Sequence, residues 1–227
     1  SGLRPDGRRR GDIRRLRCKL GVCRDADGSC YLEMGQTKVL AIVKGPHEPN
    51  RRGGGAQLNM PLINCEFNAA PFMGSERKKR RPSDRSSMDV AMSVKAVFDA
   101  AIVSELYRRT QIDIYLHMLQ DGGGRLCASI NAASLAIVNA GIGMQDLVVS
   151  CSAGHVEGVS ILDLNHQEQR FDGPYLPVAI LPRSEQIVLA KMQSRFALEL
   201  YEELLKAAVE GCQEVYKIIK AEVREHA

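Results

Sequence analysis

Residues 111–143 read QIDIYLHMLQDGGGRLCASINAASLAIVNAGIG, and this stretch decides the fold of the chain. Apolar residues alternate with polar ones at its start, so one face of a strand can be buried while the other meets solvent. A glycine-rich turn follows, and from Leu126 the apolar residues fall on one side of a helix that stops at Gly141. The stretch therefore predicts a strand, a tight turn and a helix in direct succession.

The turn at residues 122–125 consists of glycines followed by an arginine at the predicted start of the helix. Consecutive glycines let the backbone adopt positive φ and bring amide N–H groups close to a ligand. Free amides, the positive end of the helix dipole and a guanidinium together suit a phosphate group. The same residues also fit an ordinary strand–turn–helix junction with a solvent-exposed Arg125, and the pattern alone leaves both interpretations open.

The segments on either side of this stretch carry further strand and helix patterns. Before it, strands are predicted at residues 18–22, 29–34, 37–45 and 60–70. A helix is predicted at residues 85–107, with Ser83 or Asp84 as its cap. After it, strands are predicted at residues 146–156, 159–164, 176–181 and 186–192.

A polar connection is predicted at residues 166–175, and Ser194 opens the last predicted helix. Strands and helices in this order are typical of an α/β (α+β layered) domain. We place that domain at residues 18–227, after a basic N-terminal arm at residues 1–17.

The charge of the chain is concentrated in two places. The net charge is only +4 over 227 residues. Residues 1–24 carry nine Lys and Arg side chains against two acids, and residues 76–85 carry six against two, so the remainder is acidic. Such clusters are typical of proteins that grip a polyanion. A solvated tail and a solvated loop are the alternative.

The seven cysteines form no C-x-x-C pair, so neither a zinc site nor a disulfide framework is indicated. Most lie among apolar neighbours and are expected to be small core residues. No apolar run is long enough to span a membrane, and no signal peptide opens the chain. We therefore expect a soluble, intracellular protein in a reducing compartment.

Several short motifs occur in an order that resembles one family. They are RPDGR (4–8), DADGS (25–29), EMGQTK (33–38), GPHE (45–48), ERKK (76–79), RTQID (109–113), NAASL (131–135) and ILDLN (161–165). Together they resemble the RNase PH family over nearly the whole chain. Within it, the likeness is to the exosome ring subunit that is catalytic in archaea, here as a eukaryote-type exosome core component.

The resemblance implies a single α/β domain made of two similar β-α halves, assembled into a hexameric ring with RNA threaded through its pore. Active members of the family shorten RNA from its 3′ end by phosphorolysis and release nucleoside diphosphates. The attacking phosphate lies beside an anionic backbone, so the site needs arginines and helix-terminal amides. A carboxyl group must protonate the leaving ribose oxygen or hold a metal ion that stabilises it.

The phosphate-binding residues of the family are largely present. Gly123, Gly124 and Arg125 match its Gly-Ser/Thr-Arg turn, although Gly124 lacks the hydroxyl and the turn is one residue shorter. Arg85 matches the first arginine of a pair before the first long helix. Ser86 stands where the second arginine contacts phosphate in active members, so the resemblance implies a remnant of the phosphate site.

The acidic residues of the family are replaced. Gln169 and Tyr175 stand at the two positions where active members have aspartates. Glutamine has no acidic proton, and a tyrosine with a pKa of about 10 is a poor general acid. Asp163, Glu168 and Asp172 are the nearby carboxylates that could stand in, although Glu168 points to the opposite face if that stretch is extended. We assign no catalytic residue and no metal site.

The RNA-binding residues of the family are changed as well. Residues 64–67 read NCEF, which places Glu66 where active members have a base for backbone phosphate. A basic loop remains close to the expected pore, where phosphate contacts require charge rather than exact geometry. The predicted RNA-binding residues are Arg77, Lys78, Lys79, Arg80 and Arg81. The same run also resembles a nuclear import signal.

These substitutions favour a non-catalytic, structural and RNA-channelling subunit of the RNA exosome ring that supports 3′→5′ processing and degradation of RNA, including rRNA. An active phosphorolytic 3′→5′ exoribonuclease using Arg85, Arg125 and another carboxylate is the alternative. A self-sufficient homohexamer that trims tRNA ends is a third interpretation. We expect no cofactor, with inorganic phosphate and Mg²⁺ required only by the enzymatic alternative.

The resemblance also implies partners and a location. The expected partners are single-stranded RNA, paralogous RNase PH-like ring subunits, S1/KH-domain cap proteins and a hydrolytic exoribonuclease. No membrane association is expected. The expected location is the nucleus, including the nucleolus, and the cytoplasm.

Overall fold

The fold is described from a computed structural model. It describes residues 4–49, 60–74, 77, 84–156, 158–171, 173–192 and 197–226. Within these ranges, five strands form the first sheet, in the order β1 (Leu16–Leu20), β2 (Gly28–Met34), β3 (Thr37–His47), β5 (Gln111–Gln120), β4 (Leu62–Ala69). All neighbours are antiparallel except β4 and β5, which are parallel. The carboxyl ends of β4 and β5 therefore meet at one edge of the sheet.

Helix α1 (Arg85–Ala101) connects β4 to β5 and packs against β4. Parallel strands need such a crossover, because a tight turn can join only antiparallel neighbours. The buried face of α1 carries Val90, Val94, Val97, Phe98 and Ala101, which recur at helical spacing. The first turn of α1 lies at the carboxyl edge of β4 and β5, where Ser86 contacts Arg125.

Helix α2 (Arg125–Asn139) follows β5 and lies between the two sheets, against β2, β3 and β6. Every residue from 126 to 137 is buried. Most are small, which lets the backbones approach closely: a Cβ added at Gly28 of β2 would lie 2.3 Å from the Ala136 carbonyl oxygen. One continuous core therefore joins both sheets through α2.

A second sheet of the described ranges has the order β7 (Val159–Leu162), β6 (Val149–Val156), β8 (Tyr175–Leu181), β9 (Gln186–Ala190). All its neighbours are antiparallel. Helix α4 (Leu198–His226) packs on β6 and β8. The predicted layered α/β fold with two β-α halves is confirmed. Among the helices that the structure describes, none combines the length and apolarity needed to cross a bilayer.

Several predicted boundaries are wrong. The helix predicted to reach residue 107 ends at Ala101, because Ile102 is extended (φ −75°, ψ 138°) and bridges Met144; a separate 3₁₀ turn follows at Ser104–Tyr107. The first strand starts at Leu16 and ends at Leu20, where Gly21 takes a φ of +67°. The strand predicted from residue 146 starts at Val149.

The connection at residues 166–175 contains a short helix, α3 (His166–Gln169), which the sequence pattern did not predict. Asn165 and Glu168 form a capping box at its start. The predicted cap position of α1 is confirmed at Asp84, although the Asp84 side chain makes no capping hydrogen bond and instead accepts one from the Ser87 hydroxyl. Ser83 and Ser194 lie outside the described residues.

Candidate functional site

The glycine turn lies where β5 ends and α2 begins. Gly123 and Gly124 have φ values of +98° and +65°, and Gly124 is the N-cap of α2. A Cβ at Gly123 would lie 2.5 Å from the backbone nitrogen of His166, and one at Gly124 would lie 2.7 Å from Nη2 of Arg14. Both the backbone angles and the lack of space therefore require glycine, as expected for a turn that brings its backbone close to other groups.

Two amides of the turn are already occupied. The Gly122 N–H donates to Oγ1 of Thr37 (3.2 Å), and the Gly123 N–H donates to Oδ1 of Asp121 (3.1 Å). Helix geometry leaves the first N–H groups of α2, from Arg125 onward, without an intrahelical acceptor. An anion at this turn would therefore meet the helix amides rather than those of the preceding glycines.

Arg125 is part of an ion pair rather than a free surface cation. Its Nη2 lies 2.7 Å from Oδ2 of Asp121, and its Nη1 donates to Oγ of Ser86 at 3.3 Å. The Arg125 side chain is 38% exposed, whereas that of Asp121 is 7% exposed. The structure therefore brings the predicted turn and the start of α1 together, with the exposed Arg85 next to Ser86.

A buried ion-pair cluster lies directly beneath the turn. Asp163 is fully buried and binds Arg14 through two contacts, Nη2 to Oδ1 at 2.7 Å and Nε to Oδ2 at 2.8 Å. Nη1 of Arg14 also donates to the carbonyl oxygens of Gly122 (3.2 Å) and Gly123 (3.1 Å). Bidentate arginine–carboxylate pairs are strong and directional, so Arg14 fixes the turn from below.

Glu168 is held in the same way by a second arginine. Arg4 donates from Nε to Oε1 of Glu168 at 2.7 Å, and both side chains are at most 5% exposed. The condition under which Glu168 would point to the opposite face is not met, because the segment is not extended: the residue lies in α3 and its side chain faces inward. Its Oε2 also accepts the Asn165 N–H at 2.8 Å.

The N-terminal segment is therefore not a solvated arm along its whole length. Arg4 and Arg14 are buried, and Arg8 contacts Asp6 and the carbonyl oxygen of Asp163. These three arginines are not available to a polyanion, whereas Arg9, Arg10, Arg15 and Arg17 are exposed. For Arg4 and Arg14 the sequence could not reveal this difference, because their acidic partners are more than 145 residues away.

The two substituted acid positions lie near this cluster. Gln169 ends α3 and is partly exposed. Tyr175 is the first residue of β8, and part of the residue meets solvent while the phenol is enclosed by protein. This burial raises the pKa of the Tyr175 phenol well above its usual value, and the nearby Cys127 is a second cause. A phenol with a raised pKa is a weaker proton donor than a free tyrosine.

None of the nearby carboxylates is a free replacement among the described residues. Asp163 and Glu168 are each committed to an arginine, and Asp172 lies outside the described residues. The described ranges also contain no group of three or more His, Cys, Asp or Glu side chains placed to hold a metal ion. The cysteines that the structure describes are unpaired, and those at 30, 127, 151 and 212 are buried, as expected for core residues.

The basic loop begins and ends beside the glycine turn. Upstream, the Asp121 N–H donates to the Met73 carbonyl oxygen at 3.2 Å; downstream, Ser86 contacts Arg125. Arg77 is exposed, whereas Lys78, Lys79, Arg80 and Arg81 lie outside the described residues. On β4, Glu66 is exposed, so its carboxylate faces solvent where the resemblance implies a base.

Asp121, Arg14 and Thr37 are parts of the site that sequence reasoning missed. Thr37 is fully buried and its hydroxyl donates to the Gly123 carbonyl oxygen at 2.7 Å. For Asp121 the sequence did contain a signal: it lies four residues before Arg125, and an acid and an arginine at this spacing often form an ion pair. For Arg14 no local signal exists, because its partners come from distant parts of the chain.

Family models match most of the chain. The model of the 3′ exoribonuclease family, domain 1 (RNase PH), matches residues 12–143, and that of domain 2 matches residues 146–211. The two matches meet where the chain passes from α2 to the second sheet. This division agrees with the two β-α halves of the fold.

Curated relatives and solved structures agree with these matches. Exosome complex component RRP41 of Homo sapiens is 43% identical over 225 residues, covering 99% of this chain and 92% of the relative. Rrp41 of Pyrococcus furiosus is 38% identical over 220 residues, covering 96% and 86%.

Two solved structures share the fold at 21% identity. Rice (Oryza sativa) Rrp46 has a TM-score of 0.84 over 96% of this chain and 98% of its own, and an Archaeoglobus fulgidus exosome with RNA bound to the active site has a TM-score of 0.82 over 95% and 92%. The two family models together match most of the sequence, and each of the two relatives covers at least 96% of it, which shows that the chain belongs to the RNase PH family of 3′ exoribonucleases.

Proposed function

We propose that this protein is a non-catalytic, structural and RNA-channelling subunit of an exosome ring, supporting 3′→5′ processing and degradation of RNA. Relatives named as exosome complex components, at 38–43% identity over nearly the full length, support membership of the ring. One observation carries the absence of catalysis: each carboxylate of the described residues near the glycine turn is bound to an arginine of the same chain.

Phosphorolysis requires a proton for the leaving ribose oxygen or a metal ion beside it. Gln169 has no acidic proton, and the pKa of Tyr175 is raised well above its usual value by burial. A positioned general acid contributes about 10²–10⁴ in rate. Asp163 and Glu168 do not supply this proton, because each accepts hydrogen bonds from a buried guanidinium and would leave that cation unpaired on protonation.

An RNA-channelling role is supported by the position of the basic loop. The described residues on either side of the loop contact the two ends of the glycine turn: Met73 accepts the Asp121 N–H, and Ser86 accepts a hydrogen bond from Arg125. Arg77 and Arg85 are exposed beside it. Contacts of such side chains with phosphates are insensitive to sequence, which suits a channel that accepts any RNA.

The partners and location follow from the same proposal. A ring built from paralogous RNase PH-like subunits would be capped by S1/KH-domain proteins, and a separate hydrolytic exoribonuclease would cut the RNA in the nucleus, nucleolus and cytoplasm. The subunit itself would need no cofactor. Binding of inorganic phosphate with Mg²⁺ would instead favour the phosphorolytic alternative.

The test is a ring reconstituted from this chain and its paralogues, incubated with end-labelled RNA with and without inorganic phosphate. The proposal predicts RNA binding without phosphate-dependent release of nucleoside diphosphates. Such release, abolished by Arg125→Ala, would replace the proposal with the enzymatic alternative. Native mass measurement of the isolated chain provides a second check, because a stable homohexamer would contradict a requirement for paralogous partners.

A further inference from the structure

We infer that the outer face of the first sheet binds the same face of a second copy of this chain, about a two-fold axis that lies in the interface and runs along β3. Six residues, one or two from each strand, define this outer face: Lys19, Tyr31, Leu40, Ile42, Glu66 and Tyr115. Such pairing goes beyond the proposed function, because it concerns self-association of the isolated chain rather than the fate of RNA in a ring.

The strand register places these six residues on one side of the sheet. Lys19 is paired with Tyr31, which is paired in turn with Leu40 of β3. The second β3 residue of the set lies two positions further along and is paired with Tyr115, which is paired with Glu66 of β4. Paired residues, and residues two apart on one strand, point to the same side of a sheet. The outer face therefore extends from one edge strand to the other.

No described part of the chain covers the outer face. On the opposite side of the same strands, residues such as Leu32, Ala41 and Leu116 are fully buried in the core. On the outer face, Lys19 and Glu66 are exposed, and the four residues between them are partly exposed. An antiparallel sheet whose second side meets solvent normally carries polar residues there. Two aliphatic and two tyrosine side chains instead occupy the centre of this side.

Charge is separated across the outer face. At one edge, β1 contributes the exposed cations Arg17 and Lys19. Towards the other edge, β5 and β4 contribute the carboxylates of Asp113 and Glu66. Partial burial raises the pKa of the Tyr115 phenol, and these two carboxylates raise it further, so both lie near Tyr115. The face therefore has a cationic side and an anionic side around an apolar centre.

This separation selects the direction of the two-fold axis. The central strand of the sheet is β3, with β1 and β4 at the two edges. Rotation about an axis along β3 brings β1 of one copy against β4 of the other, so that opposite charges meet twice. An axis across the strands would place β1 on β1 and bring like charges together. A nucleic acid would suit the cationic side alone, since the carboxylates on the other side repel phosphate.

The size of the outer face suits a weak dimer. Five strands spaced about 4.8 Å apart, with about seven residues of about 3.3 Å each, cover roughly 24 Å by 23 Å. Two such faces would bury roughly 1,100 Å² in total, which is at the lower end of specific interfaces. An apolar, tyrosine-containing centre with a charged rim is the usual anatomy of such interfaces. We therefore expect a dimer with a micromolar rather than a nanomolar dissociation constant.

The experiment measures the mass of the isolated 227-residue chain by sedimentation velocity over a wide range of concentrations. The expected result is a reversible equilibrium between monomer and dimer. Lys19→Glu and Glu66→Lys should each raise the dimer dissociation constant at least about tenfold, because the two-fold axis makes every changed contact occur twice. The double variant restores opposite charges across the axis, so its dissociation constant should return to within about threefold of the native value.

Lys206→Glu and Glu202→Lys are the matched controls, because they make the same changes in charge at exposed positions of α4, away from the sheet. Circular dichroism verifies that every variant is folded. Ile42→Thr keeps a β-branched residue on β3 and tests the apolar centre, so it should also weaken the dimer. A chain that stays monomeric at every concentration would overturn the inference. Charge variants that associate like the native chain would do the same, as would a double variant no better than the single ones.

Binding of RNA to the outer face is the competing outcome. Fluorescence anisotropy with a short single-stranded RNA is measured on the same proteins. RNA binding that is lost in Lys19→Glu, by a native chain that does not self-associate, would assign the face to RNA and overturn the inference. The ring assay of the proposed function measures release of nucleoside diphosphates, so failure of that proposal and failure of this one are distinguishable.

Discussion

Two groups of arginine–carboxylate ion pairs lie above and below the glycine turn. They differ in the exposure of their side chains and in the sequence separation of their partners. The surface pair, Arg125 with Asp121, is local in sequence and half-open to solvent. The buried cluster, Arg4 with Glu168 and Arg14 with Asp163, joins the N-terminal segment to the far half of the chain and is shielded from water. The same pair of chemical groups therefore forms a partly exposed contact at the turn and a buried connection between distant segments beneath it.

The difference in burial decides the energetics. Removing one partner of a buried pair leaves an uncompensated charge away from water, whereas removing one partner of an exposed pair lets solvent take over. The carboxylates of the buried cluster are therefore structural groups. Substitutions in the buried cluster should therefore reduce stability more than substitutions in the pair of Arg125 and Asp121.

The largest effect is expected for Arg14→Ala. The substitution removes the two closest cationic donors of the buried Asp163, which keeps only Arg8 as a cation at 3.6 Å, and it removes the donors to the Gly122 and Gly123 carbonyl oxygens. We expect the free energy of unfolding to fall by about 3–5 kcal/mol. Chemical denaturation measures the change, and Arg15→Ala on the exposed side of the same segment is the control. A loss as small as that of the control would mean that the cluster does not hold the fold.

A smaller loss is expected for Glu168→Gln. The amide keeps one acceptor oxygen, but it replaces the other by an NH2 group that would face an N–H donor of Arg4 or Asn165, and it removes the charge. We expect a loss of about 1–3 kcal/mol, the cost of a weakened buried charged hydrogen bond. Denaturation again measures it, with the exposed Glu105→Gln for comparison. A variant as stable as the native protein would make Glu168 available for another role.

The cations of the basic loop should affect RNA binding rather than stability. Changing Arg77, Lys78, Lys79 and Arg80 together to Ala should weaken binding of RNA by the assembled ring. The plot of the logarithm of the RNA-binding constant against the logarithm of the salt concentration should become less steep. The magnitude of its negative slope should decrease by about 0.7 for each RNA phosphate that these side chains neutralise in the native ring. Fluorescence anisotropy at several salt concentrations measures both. An unchanged slope would remove the loop from the RNA path, and Arg17→Ala on β1 tests whether any exposed cation has the same effect.

The smallest effect on stability is expected for the surface pair. A double-mutant cycle with Asp121→Ala and Arg125→Ala should give a coupling energy near the upper end of the range of about 0.2–1 kcal/mol for surface ion pairs, because Arg125 is 38% exposed whereas Asp121 is 7% exposed. The corresponding cycle for Arg14 and Asp163 should give a coupling several times larger. Similar values for the two cycles would remove the distinction between the regions.

Local patterns predicted the elements that local forces determine. The alternation and the glycine turn of residues 111–143 predicted β5 and α2, and both are confirmed with nearly the expected bounds. The short α3 helix was missed although Asn165 and Glu168 have the spacing of a capping box, which is a readable signal. The early end of α1 was missed because Ile102 continues the apolar helix pattern while it pairs with Met144.

The site was predictable only in part, because only some of its residues are placed by local sequence patterns. The positions of residues 123–125 followed from glycine, arginine and the expected helix start. The buried cluster did not, because Arg4 and Glu168 are 164 residues apart and Arg14 and Asp163 are 149 apart. Long-range pairing of this kind leaves no periodicity in the sequence, so a charged N-terminal segment looked the same whether it faced solvent or the core.

The most direct test of the proposed function is the release of nucleoside diphosphates from labelled RNA by the purified ring in the presence of inorganic phosphate. We expect no release above a control ring that carries Arg125→Ala, while RNA remains bound and intact. Phosphate-dependent shortening of the RNA by the native ring, abolished in that control, would show that a proton donor exists beside the turn and would contradict the assignment of its carboxylates to structural pairs.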